Sequence, residues 1–181
     1  MPTPPDFTNA TALDASSLNK IGLWLVKTQA VGTAVSSVTV TGAFSADHDN
    51  YLIQYVGGTL SAASDMSFYF GTAPPANGYS MSQNFVRYDT GVNGVSTVNN
   101  QPQWTFVGGG DTNGCFISMT VFNPNTTRYK YMTFQGLSAT VFTVQGTGVF
   151  TGTTAQTGFT FDPPGAVTMT GGTIRVYGFR N

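Results

Sequence analysis

A chain of 181 residues, 40 % of them apolar, is long enough for one domain with a sizeable core. Charged residues make up only 8 % of it, against about 25 % in an ordinary globular protein, and Glu is absent. A net charge of −1 excludes the long-range attraction that draws proteins to nucleic acid or to anionic membranes. The single cysteine, Cys115, excludes an intrachain disulfide scaffold. It sits in an alternating run and is expected in the core.

The start, Met1 to Asp6, has neither the basic residues nor the apolar stretch of a signal peptide. No apolar run reaches the roughly 18 residues of a membrane span. The protein is therefore expected to be made in a cytoplasm and to stay soluble. Pro2, Pro4 and Pro5 predict an extended arm. Leu13 to Gly22 then carries the one helix signal. Asp14 can cap free N–H groups, Leu13 and Leu18 have the spacing of a hydrophobic staple, and Gly22 can close the C-terminus. Such a helix, about two turns long, is too short to stand alone in water and needs a surface to pack on. Residues 1–22 are thus expected to form an arm and residues 23–181 a single β-domain.

From Leu23 onward strands and turns alternate. Segments 23–28, 35–41, 51–56, 66–70 and 83–88 are rich in β-branched and aromatic residues. So are 104–107, 115–122, 128–135, 140–145, 157–161 and 173–179. Turn chemistry separates them at Gly57-Gly58, Pro74-Pro75, Asn77-Gly78, Asn93-Gly94, Gly108 to Gly110, Asn113-Gly114, Pro163 to Gly165 and Gly171-Gly172. About ten short strands at this spacing predict an all-β protein, a jelly-roll-like β-sandwich. Several strands carry aromatics on both faces, which predicts that a partner covers part of the outer surface.

Titratable groups are sparse. The sole histidine lies in Asp47-His48-Asp49-Asn50, which offers ligands or a base on paper. It reads more simply as a turn whose side chains bond local backbone. No Gly-x-Ser-x-Gly elbow is present. No pair stands out among Asp47, Asp65, Asp89, Asp111 and Asp162, and no Lys or helix follows Gly108 to Gly110. The chain is expected to be no enzyme, with no cofactor and no metal. Low charge and a Thr, Ser, Asn and Gly surface suit a subunit of an assembly. Carbohydrate binding is the rival: Trp24 and Trp104 could stack on sugar rings if exposed, although both are first expected in the core.

The two ends of the chain carry a resemblance. Leu13-Asp14-Ala15-Ser16-Ser17-Leu18-Asn19-Lys20-Ile21-Gly22-Leu23-Trp24 resembles the opening of tail-fibre-like and other small virion proteins of tailed bacteriophages. Met169 to Asn181, with Gly172-Thr173-Ile174-Arg175-Val176-Tyr177-Gly178-Phe179-Arg180, resembles their final strand. The resemblance implies a jelly-roll-like domain, often trimeric, that joins the particle through its N-terminal segment. Phe7, Leu13, Leu18 and Ile21 would be the apolar contacts of that anchor. Implied with it are a virion location, other capsid or tail and neck proteins as partners, and no part for nucleic acid or membrane. Capsid decoration is the alternative role. The chain departs from long fibres in having no repetitive shaft, and from tailspikes in having no β-helix repeats or catalytic acids.

Overall fold

A computed structural model describes residues 22–138 and 142–179. Among these, fourteen strands run β1 (Leu23–Ala30), β2 (Val38–Val40), β3 (Asn50–Leu60), β4 (Ser64–Asp65), β5 (Ser67–Phe70), β6 (Tyr79–Arg87) and β7 (Asn93–Gln101). They continue as β8 (Gly109–Gly110), β9 (Cys115–Phe122), β10 (Lys130–Ser138), β11 (Phe142–Phe150), β12 (Phe159–Asp162), β13 (Met169–Thr170) and β14 (Thr173–Phe179). The protein is all-β, as its composition predicts. The helix expected over Leu13 to Gly22, and the contacts expected of Phe7, Leu13, Leu18 and Ile21, lie outside the described residues save for Gly22.

Eight strands lie side by side in the order β1-β14-β3-β9-β10-β11-β6-β7; β13 joins β3, β8 joins β9, and β4 joins β8. A second sheet has the order β2-β12-β5. Neighbouring strands are antiparallel throughout, so period-two alternation sorts side chains between core and exterior. In β3, Tyr51, Ile53 and Tyr55 point inward; in β9, Ile117, Met119 and Val121 do; in β14, Ile174 and Val176 do.

The small sheet closes this core with aromatic rings. Phe68 stacks on Phe159 at 5.1 Å and on Trp104 at 5.6 Å, and Tyr79 stacks on Phe150 at 4.2 Å. Offset and edge-on contacts of this kind add to the area they bury. Polar tips on the buried rings find partners, which removes the cost of dehydrating them. Tyr55 Oη donates to the Gly171 carbonyl at 3.0 Å, and Tyr79 Oη accepts the Phe70 N–H at 2.8 Å. The Trp104 indole N–H is shared between the carbonyls of Ser80 at 3.1 Å and Val149 at 3.3 Å. Gly148 makes this possible: a Cβ there would stand 2.6 Å from the indole nitrogen.

One charge is buried with the core. Lys130, at the start of β10, is fully inaccessible. Its Nζ donates to the carbonyls of Thr126 at 2.9 Å, Arg128 at 2.8 Å and Gly152 at 2.8 Å. Three acceptors match the three donors of an ammonium group. The side chain thereby ties the 126–128 loop to the chain leaving β11. Burial pulls its pKa below the ordinary lysine value.

Several turn and strand expectations are corrected. Asn93-Gly94 opens β7, and the reversal before it is made by Tyr88 to Gly91, with Gly91 at φ +70°. Gly109-Gly110 is a short strand, not a turn. The segment 104–107 forms no continuous strand. Trp104 makes an isolated bridge to Phe68, and Phe106 takes φ +62°, which breaks any ladder.

Candidate interaction surface

The titratable groups singled out in the sequence make local structure. Ser45 Oγ donates to Asp47 Oδ2 at 2.9 Å, bracing the turn. The His48 ring lies against Gly178 and edge-on to Tyr51 at 5.6 Å, with Nδ1 3.1 Å from the Phe179 carbonyl oxygen. Asp111 Oδ1 accepts the N–H groups of Asn113 and Gly114 at 2.7 and 3.3 Å, closing the loop before β9. Both carboxylate oxygens of Asp89 accept from the Arg87 guanidinium, from Nε at 2.8 Å and Nη2 at 2.6 Å, which keeps its carboxyl below the usual range. Burial raises that of Asp162. Among the described residues, no three of His, Cys, Asp and Glu come together as metal ligands would.

Cys115 is buried and unpaired, and burial pushes its thiol up to about 12. Because the thiolate is the nucleophile, iodoacetamide at pH 8 is expected to leave the folded protein unlabelled and to label it fully in denaturant. Rapid labelling of the native chain, followed by mass spectrometry, would overturn the buried position.

The two tryptophans part company. Trp104 is wholly buried and offers no surface to a sugar, so its suggested stacking role is set aside. Trp24, expected in the core, is instead 55 % exposed on the edge strand β1. Leu23 and Leu25 beside it are 45 % and 50 % exposed, and Phe179, paired with Leu23, is 36 % exposed. The cause is topological: β1 lies at the edge of its sheet and pairs with β14 alone.

A second surface crosses the middle of the eight-stranded sheet on its outer face. Thr120, Thr133, Thr147, Ser82 and Thr97 stand in register on five adjacent strands, from β9 to β7. On one side of this hydroxyl row, register places Phe122, Tyr131, Val149 and Ser80. On the other it places Gln54, Ser118, Gln135, Gln145 and Asn84. The hydroxyl side chains are shorter than Phe122 and Tyr131 on one flank and than Gln135, Gln145 and Asn84 on the other, so the face is troughed between those residues. Three open depressions border the row, one of about 480 Å³ on the Tyr131 side and two of about 410 and 310 Å³ in succession on the amide side. They share Ser82, Thr133 and Thr147, then Thr133, Phe134 and Gln145. None of their lining residues is charged.

On the inner face a smaller hollow is lined by Phe85, Phe106, Phe142 and Val144 with Asp65, Gln83 and Ser96. Gln83 Oε1 is buried there without a hydrogen-bond partner among the described residues.

Sequence reasoning found neither the trough nor this hollow. Alternation such as Thr133-Phe134-Gln135 shows which side chains leave the core. It does not show that Thr133, Thr147 and Ser82, from three separate strands, become neighbours. Comparison with protein-family models, with curated proteins and with solved structures finds no match to this chain.

Proposed function

We propose that this chain is a non-enzymatic structural protein of a bacteriophage particle, a compact trimeric tail or neck fibre or adaptor held through its N-terminal arm. The observation that carries the reading is the apolar end of β1. Leu23, Leu25 and Phe179 on one face of the sheet, and Trp24 on the opposite face, are all exposed directly after the proposed arm. An exposed apolar edge strand, with unpaired N–H and C=O groups, is a ready surface for another chain. The low charge of the whole molecule fits the same use, because few ions need dehydration at an interface.

The jelly-roll part of the reading is supported by strand order. We take β1, β2, β3, β5, the Trp104 segment, β9, β12 and β14 as eight successive strands. The first, eighth, third and sixth then lie side by side in one sheet, and the second, seventh, fourth and fifth in the other. That is the wrapping of a jelly roll, two Greek keys folded together. The hairpins β6–β7 and β10–β11 are then insertions that widen one sheet.

The test is oligomeric state. Light scattering on the purified chain is expected to give a trimer, and Leu25→Asp combined with Phe179→Ser is expected to give a monomer of unchanged melting temperature. Deleting residues 1–21 is expected to leave a folded β-domain that no longer enters particles. A monomeric wild type, or normal incorporation of the truncated chain, would sink the proposal. Copy number in purified particles separates the roles. A small multiple of three supports a tail or neck trimer, and hundreds of copies would mean capsid decoration.

A further inference from the structure

We infer that the trough across the outer sheet face is a binding groove for a neutral, linear polysaccharide. The inference goes beyond the assembly reading and does not depend on it, since it uses a different part of the surface. Three features of the trough carry it: its period, its chemistry and its lack of charge.

Adjacent strands lie about 4.8 Å apart, so the floor residues Thr120, Thr133, Thr147, Ser82 and Thr97 repeat at that interval. This is close to the advance of one pyranose unit in an extended chain. A polysaccharide lying across the strands would meet a similar set of groups at each ring. The amide flank, with Gln135, Gln145 and Asn84, offers both donors and acceptors to ring hydroxyls. On the opposite flank, Tyr131, 47 % exposed, and the partly exposed Phe122 offer apolar faces to the C–H side of a sugar.

The absence of charge narrows the occupant. A polyanion gains nothing from a groove without a cation. A second protein chain would have to satisfy every amide and hydroxyl it buried there, since each one left unpaired costs free energy. A polyol carries a donor and an acceptor at most positions and meets that demand along its whole length.

The probes are soluble galactomannan, dextran, starch and mixed-linkage β-glucan, with alginate as a polyanionic control, each cast into a native gel. The full-length protein is expected to be retarded by at least one neutral polymer and not by alginate, with no change on raising salt. Gln135→Ala with Gln145→Ala is expected to weaken retardation at least tenfold. Thr133→Arg, which fills the floor, is expected to abolish it. All three positions are exposed, so melting temperature is expected to hold in both variants. Free migration through every neutral gel, retardation by alginate alone, or undiminished retardation of Thr133→Arg would each overturn the inference. Dissociation of an oligomer by Thr133→Arg would reassign the trough to subunit packing. A monomer that still binds a neutral polymer would sink the assembly reading and keep this one.

Discussion

Trp104→Ala is expected to destabilise the protein by about 3–5 kcal/mol, the range for deleting a large aromatic ring from a packed core. The indole is fully buried and touches both halves of that core. It stacks on Phe68 at 5.6 Å and meets Tyr79 edge-on at 5.0 Å. Its removal opens a cavity and takes the shared donor away from the Ser80 and Val149 carbonyls. Against a typical domain stability of about 5–15 kcal/mol, that loss is a large fraction. Trp104→Phe refills part of the space without the N–H and is expected to lie between. Urea unfolding followed by far-UV circular dichroism measures both variants. A loss under about 1 kcal/mol for the alanine variant would mean that Trp104 is not the centre of the core. In a Trp24→Phe background the remaining emission is expected to be blue-shifted and poorly quenched by acrylamide.

Lys130→Met is the second large effect, about 2–4 kcal/mol, because truncating one member of a buried polar set strands the others. Three carbonyls on two loops would lose their donor together. Methionine keeps much of the chain length, so the loss reads hydrogen bonding more than volume. The pH dependence has a definite sign. Burial lowers the folded-state pKa of Lys130 below its unfolded value. Between those two values the unfolded chain binds the proton more fully, so stability rises with pH there. The wild type is therefore expected to gain on Lys130→Met as pH climbs toward the ordinary lysine pKa of about 10.4. A difference between the two proteins that stays flat across that range would show that Lys130 is not desolvated.

The strands were largely legible where alternation is strict. Cys115–Phe122 and Thr173–Phe179 have the bounds that their residue pattern predicts. β7 was not legible, because its Asn93-Gly94 start carries turn chemistry and its Val95, Thr97 and Asn99 leave little apolar signal. Trp24 and Trp104 show the limit from the other side. Trp24 sits between two leucines and Trp104 between Gln103 and Thr105, yet pairing order puts the first on an edge strand and the second between sheets. The trough is a property of register between distant segments. Thr133 meets Thr147 across a hairpin, but Thr147 meets Ser82 across more than sixty positions of chain. Local residue patterns carry the first pairing and are silent on the second.

The place of β14 has a consequence for how the molecule is made. β14 is interposed between β1 and β3, and it is the last strand described. During translation β1 leaves the ribosome before β2 to β13, yet its sheet neighbour β14 emerges only after all of them. Until then the nascent chain must hold an unpaired, apolar strand in solvent, the condition under which partly folded proteins aggregate. Closing so long a loop is also slow. Yield of soluble protein should thus depend on β14 far more than its seven residues suggest.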